Sequence, residues 1–153
     1  MAKLVMRRKA TDNVYFHPDF HIALNIMIEY IEKKFGKEGV KEYLRQFTNA
    51  YYKPLKQKIK RYGLKAIKGY LEQLYRKENG EIEILLEPES MTVKIKRCPA
   101  VSHIRKKMTV ADSFCETTGT FYQTLLEKTD FEFELKKYDK KTGRSILIFR
   151  KRK

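Results

Sequence analysis

The sequence of 153 residues has no tryptophan, three histidines, four prolines and only two cysteines. The two cysteines form no CxxC pair, and the basic residues 1–9 lack the apolar run of a signal peptide. A disulfide-stabilised extracellular scaffold is therefore not expected. No window approaches the roughly 20 apolar residues that a membrane-spanning helix needs. These absences predict a cytoplasmic protein that does not enter a membrane.

Several common catalytic and metal-binding motifs are missing as well. The chain contains no P-loop, no GxGxxG after a predicted strand, no HExxH and no GxSxG. His17 and His21 are four residues apart, but Pro18 pushes His17 out of the helical region and no third ligand lies near them in the sequence. The two cysteines and the remaining histidine lack the short spacings of a zinc site. We expect neither a metal ion nor another cofactor.

Charge, by contrast, is abundant and unbalanced: 34 lysines and arginines face 19 acidic residues, which gives a formal net charge of +15. This excess indicates a polyanionic partner, an anionic small ligand or only a well-solvated surface. The richness in lysine and glutamate is typical of proteins that work at high temperature. Nucleic-acid binding stays open as one function, but no recognised reading module is present. We therefore expect such binding to be weak and independent of sequence.

Helical periodicity dominates the first half of the chain, where apolar residues recur every three or four positions. Pro18 marks a helix start, and Gly36 and Gly63 mark helix ends. Tyr51 falls on the apolar face of the second helix. The predicted helices span about residues 18–35, 40–62 with a break at 52–53, and 64–78.

One face of the second predicted helix carries Lys53, Lys56 and Lys60, opposite Leu55 and Ile59. A lysine stripe of this kind is usually a solvated face. An anion-binding strip is the alternative interpretation.

The second half of the chain changes to alternating apolar and polar residues, which is typical of strands. Two hairpins are predicted, with a short helix and a longer one between them. Because no crossover connection is needed, this order predicts an α+β fold with a four-stranded antiparallel sheet and helices packed on one face. We expect one domain over 1–153, with a basic N-terminal segment and a basic tail. The predicted strands are 81–84, 91–96, 131–135 and 145–149, the longer helix is about 110–127, the N-terminal segment is 1–16 and the tail is 150–153.

The segment from Arg97 to Arg105 joins the first hairpin to a helix and is the strongest candidate site. Pro99 suits the first position of that helix, which places Cys98 at its N-cap. Free backbone N–H groups and the positive end of the helix dipole converge there. The pKa of the Cys98 thiol is therefore expected to lie below that of a free cysteine.

Other reactive side chains follow Cys98 within two helical turns. Ser102 and Arg105 share the face of Val101, so a thiolate, a hydroxyl and a guanidinium would line one wall of a pocket. His103 is the nearest histidine in the sequence, five residues from the thiol. The alternative is that Cys98 is a small buried hydrophobic residue with His103 at the surface. For Cys115, in the middle of an apolar stripe, a packed core thiol is favoured over a functional one.

Several short segments resemble the family of L-2-amino-thiazoline-4-carboxylic acid hydrolases, and the likeness covers most of the chain. The resemblance implies an α+β domain with a ligand cavity between the helices and the sheet. It also implies a hydrolase that opens a cyclic amidine by adding water. The segments that carry the likeness are Arg97-Cys98-Pro99-Ala100-Val101, Phe114-Cys115-Glu116, Asp19-Phe20-His21, 43–48 with Tyr51-Tyr52, and 81–84.

On this resemblance, a thiolate or an activated water attacks the amidine carbon, with Cys98 as the nucleophile and His103 as a proton shuttle. Arg97 or Arg105 would hold a substrate carboxylate, and Ser102 and Cys115 would complete the substrate site. The expected ligand is a small anionic molecule. A ligand-binding or sensor domain without chemistry is the first alternative, and a basic nucleic-acid-binding protein is the second. Association into a homo-oligomer also stays open.

Overall fold

Within residues 18–153, five helices and four strands follow one another broadly in the order that the sequence predicts, and the α+β fold class is confirmed. The computed structural model describes residues 18–153. The predictions for residues 1–16, including an ordered piece at 14–16, and for His17 lie outside these residues. The elements are α1 (Asp19–Tyr51), α2 (Lys53–Tyr62), α3 (Leu64–Lys77), β1 (Glu81–Leu86), β2 (Ser90–Arg97), α4 (Pro99–Ile104), α5 (Glu116–Leu125), β3 (Phe131–Tyr138) and β4 (Ser145–Lys151).

Helix α1 is one long element with a break at Gly36. The φ of Gly36 is 68° and its ψ is −174°, a conformation that interrupts the helix and that glycine adopts without steric cost. Helical geometry resumes directly after it, so the predicted restart near Val40 is wrong. Val40 and Leu44 are buried on the second half of α1, and Pro18 lies at the N-cap rather than at the first helical position.

Helices α2 and α3 pack against each other and are connected at Gly63, whose φ is 61°. Ile59, Ile67 and Leu71 are buried in the core cluster that the helices share with the sheet. Tyr51, which the sequence places on the apolar face of the second predicted helix, has a side chain that is 60% exposed at the end of α1, immediately before the break at Tyr52. The end of α1 and the pair α2–α3 therefore present aromatic and basic side chains outward.

The sheet has the strand order β1-β2-β4-β3, and every neighbouring pair is antiparallel. The two predicted hairpins therefore join through β2 and β4. Met91, Val93, Leu147 and Phe149 are fully buried under the helices. Alternate residues carry charge on the other face, where Lys96 pairs with Glu83. Helices thus cover one face of the sheet.

Helix α5 begins at Glu116 and ends at Leu125, so the predicted start near residue 110 is wrong. The reason lies in side chains of α1. The backbone N–H of Ala111 donates to Asn25 Oδ1 (2.8 Å), and that of Ser113 donates to Glu32 Oε2 (3.2 Å). These bonds hold the segment in turns. Among residues 18–153, no helix combines the length and the apolar character needed to cross a membrane.

Candidate functional site

The strand-to-helix junction at Cys98 is built as the sequence predicts. Cys98 is the N-cap of α4, with extended backbone (φ −84°, ψ 114°), and Pro99 occupies the first helical position. The Cys98 side chain contacts both core clusters, the one between the sheet and α2, α3 and α5 and the smaller one around α1 and α4. It is therefore a packing residue at the boundary between them.

Burial decides the ionisation of this thiol. It raises the pKa of Cys98, and backbone N–H groups of Val101 and Ala100 oppose the rise with a smaller effect. The prediction of a lowered pKa is therefore wrong. The helix N-terminus is present, but the desolvation of a thiolate in the core outweighs it.

The polar residues that follow Cys98 turn toward loops and toward α1. Both arginines are exposed and donate to backbone carbonyl oxygens, Arg97 to Asn79 and Arg105 to Lys141. His103 is half-buried, with Nε2 3.6 Å from Asp19 Oδ1, and Ser102 is half-buried on the same short helix. The two guanidinium groups are thus engaged in holding the chain together.

Cys115 lies at the N-cap of α5, not in the middle of a helix as predicted. Cys115 is half-buried. Burial is the main cause that raises the pKa of its thiol, and the negative charge of the neighbouring Glu116 raises this pKa further. Glu116 in turn forms an ion pair with Lys37, whose Nζ lies 3.2 Å from Glu116 Oε1. In the part of the chain that the structure describes, no three His, Cys, Asp or Glu side chains cluster so as to hold a metal ion.

The described cavities lie at the opposite end of the sheet from Cys98. One has a volume of about 640 Å³ and lies between α2, α3, the β1–β2 turn and Phe131. The other, of about 380 Å³, lies between the end of α1 and the two helices. They share Lys58, Lys65 and Ala66, and we name the pair the α2–α3 groove. None of the six predicted site residues lines it.

Cations and aromatic rings line the α2–α3 groove together. Lys58, Arg61 and Lys65 line it, and within residues 18–153 none of the three forms an ion pair. Tyr62 is 56% exposed, and the Arg61 guanidinium lies 5.2 Å from the centre of its ring. The remaining aromatic lining residues are Tyr51, Tyr52, Tyr70 and Phe131.

The sequence does contain a pattern that indicates this groove, and it is longer than the lysine stripe of the second predicted helix. Residues 43–71 contain eight lysines and arginines and no acidic residue, so more than half of the net charge of +15 lies in this segment. Burial lowers the pKa of Lys56 within this segment, Glu127 opposes this effect, and Lys60 and Lys128 lower the pKa further. The segment forms the end of α1, α2 and most of α3, which are the walls of the groove.

Comparisons with known proteins add no relative. No family model matches the chain, and neither the curated proteins nor the solved structures contain a significant match. The resemblance to the thiazoline-carboxylate hydrolases thus stays a prediction, and the function is argued from the geometry of the molecule.

Proposed function

We propose that this protein binds single-stranded nucleic acid, without sequence preference, along the α2–α3 groove. The observation that carries the proposal is that Lys58, Arg61 and Lys65 line the groove together with exposed tyrosines, all within residues 43–71, which contain no acidic residue. Cations neutralise phosphates, and aromatic faces stack on unpaired bases. Both kinds of group are needed for a single strand, and both line this groove.

The shape of the groove favours an extended ligand over an enclosed one. Sites for small molecules usually bury most of the surface of the ligand. The two cavities here are open to solvent and run into each other along the α2–α3 pair. A strand would lie across them with its backbone near the cations and its bases over Tyr51 and Tyr62.

The lining residues also account for the absence of sequence preference. Reading a base requires side chains that match the donors and acceptors on its edge. Apart from the cations and the tyrosine hydroxyls, the described lining of the groove offers two side chains that could match a base edge. They are the amide of Gln73 and the carboxylate of Glu87. Charge attraction and stacking, which every base sequence satisfies, dominate this lining.

The proposal is tested by the fluorescence anisotropy of labelled oligothymidylate and oligouridylate strands. The variant Lys58→Gln/Arg61→Gln/Lys65→Gln removes three charges from the groove. The matched control, Lys136→Gln/Lys137→Gln/Lys140→Gln, removes three exposed charges at the other end of the sheet. We expect about a tenfold or greater loss of affinity in the groove variant and a much smaller loss in the control. Equal losses would show that binding follows net charge alone and would overturn the proposed site.

A cyclic-amidine hydrolase is the second candidate, and one observation favours a ligand near Cys98. The hydroxyl of Ser145 is buried and has no hydrogen-bond partner among residues 18–153. Ser145 pairs with Tyr138 across β3 and β4, two residues from Gly143, which abuts Cys98. Incubation with 2-amino-thiazoline-4-carboxylate and analysis for the ring-opened product test this candidate. Turnover that is lost in Cys98→Ser supports it, and the absence of product rejects it.

A further inference from the structure

The first half of α1 exposes large apolar side chains on the side that faces away from the core. Ile26 is 50% exposed, Met27 44% and Tyr30 53%. On the opposite side of the same turns, Asn25 and Ile28 are completely buried. A helix that is apolar on both sides is normally covered on both sides. The outward face, which we name the α1 face, therefore has the character of an interface. It consists of Asp19, Phe20, Ala23, Ile26, Met27, Tyr30 and Lys34.

We propose that two copies of this chain associate through their α1 faces, with the two helices antiparallel about a two-fold axis between Ile26 and Met27. In this arrangement Ile26 of one copy meets Met27 of the other. The small Ala23 meets the large Tyr30, which fills the space that alanine leaves. Because each contact occurs twice about the axis, the interface closes at a dimer.

The charges at the two ends of the α1 face favour a second copy of the chain in the antiparallel orientation. Asp19 lies at the start of the face, with a carboxylate that is 61% exposed and has Lys107 Nζ and His103 Nε2 each 3.6 Å away, and Lys34 lies at the end of the face. The antiparallel arrangement places Asp19 of each copy opposite Lys34 of the other, whereas a parallel arrangement would place like charges together. Lys34 also lies over the Tyr30 ring, 5.2 Å from its centre, so the ring and the cation enter the interface together.

The size of the face predicts a weak dimer. One apolar stripe about three helical turns long buries less than a standard interface, which needs roughly 1,200 Å² or more in total. The dimer is therefore expected to dissociate in the micromolar range. The groove proposed for nucleic acid lies on α2 and α3, so the two proposals fail or succeed separately.

Sedimentation velocity of the full chain, over about 5 to 500 µM, tests the dimer. The variant Met27→Glu places a charge at the axis and should remove the dimer. The control Leu85→Glu replaces a still more exposed apolar residue on β1, 61% accessible against 44% for Met27, and should leave the dimer unchanged. Lys34→Asp should weaken association about tenfold, and the double variant Asp19→Asn/Lys34→Asp should recover part of this loss, because it removes the like charge opposite position 34.

A wild-type chain that sediments as a monomer at every concentration would overturn the proposal. If that monomer also lost thermal stability in Met27→Glu but not in Leu85→Glu, the α1 face would be covered by another part of the same chain. A dimer that survives Met27→Glu, and that Lys34→Asp does not weaken, would place the interface elsewhere and equally overturn the proposal.

Discussion

Gly143 lies directly against Cys98: a Cβ atom at position 143 would stand 2.6 Å from Cβ of Cys98 and 2.8 Å from Cγ2 of Val101. The β3–β4 turn is thus packed onto the start of α4, and the Arg105 guanidinium fixes it further by donating to the carbonyl oxygen of Lys141 (2.6 Å). The junction that carries the most reactive-looking residues of the sequence is a close-packed meeting point of the two halves of the fold.

Replacing Gly143 with alanine should destabilise the protein by about 2 to 4 kcal/mol. The added methyl group collides with Cys98 and Val101, and the φ of 72° is unfavourable for any residue with a Cβ. Chemical denaturation followed by circular dichroism measures the change. Gly69→Ala is the control: nothing lies within 4 Å of its Cβ position in α3, so this change should stabilise by about 0.5 to 1 kcal/mol. Similar free energies of unfolding for the two variants would contradict this account of the junction.

Asn25 ties α1 to the segment before α5, and Asn25→Ala should lower the free energy of unfolding by about 2 to 4 kcal/mol. Its Nδ2 donates to the carbonyl oxygen of Thr109 (2.9 Å), and its Oδ1 accepts from the N–H of Ala111. The variant leaves both backbone groups without these partners. The exposed Asn49→Ala serves as control in the same denaturation experiment, and an equal, small effect of both changes would contradict the prediction.

Both cysteines should react slowly with a thiol reagent at neutral pH, and Cys98 should react more slowly than Cys115. Burial raises the pKa of both thiols, so the reactive thiolate becomes abundant only above the ordinary pKa of cysteine. The Cys98 side chain is in addition packed between two core clusters. Peptide mapping after timed alkylation distinguishes the two sites. Faster modification of Cys98 would contradict the raised pKa and would strengthen the hydrolase candidate.

Tyr62→Ala should weaken binding of a single strand by about 1 to 3 kcal/mol, which is roughly 5- to 150-fold, because a base loses its stacking partner. Tyr30→Ala is a closely matched control. The two tyrosines are 56% and 53% exposed, and each has a cation 5.2 Å from the centre of its ring, but only Tyr62 lies in the groove. Anisotropy titrations at nanomolar protein concentration compare them. Equal affinities of the two variants would argue against stacking in the groove.

The architecture was predictable from the sequence because the spacing of apolar residues changes clearly from helical to alternating. Alternation in β1 and β2, and the glycines at positions 36 and 63, gave the strands and the helix breaks. The start of α5 was not predictable in the same way. It depends on hydrogen bonds that the backbone N–H groups of Ala111 and Ser113 donate to Asn25 and Glu32, more than 80 residues earlier, and that hold the segment before α5 in turns. Local propensity contains no information about such partners.

The N-cap position of Cys98 was predictable from Pro99, but the ionisation of its thiol was not. The sign of that pKa shift depends on how deeply the tertiary structure buries the sulfur, which the spacing of residues does not determine. The groove was not predictable from the lysine stripe either. A lysine-rich helix is usually a solvated face, and only the packing of α2 beside α3 and the end of α1 turns the charges into a concave surface.

The dependence of single-strand affinity on salt tests the central claim most directly. Each neutralised phosphate contributes about 0.7 to the slope of the logarithm of affinity against the logarithm of salt concentration. Loss of Lys58, Arg61 and Lys65 as phosphate contacts should therefore reduce the slope by about 2, and the control that neutralises Lys136, Lys137 and Lys140 should retain the wild-type slope. An unchanged slope in the groove variant, or an equal reduction in the control, would contradict binding along the α2–α3 groove.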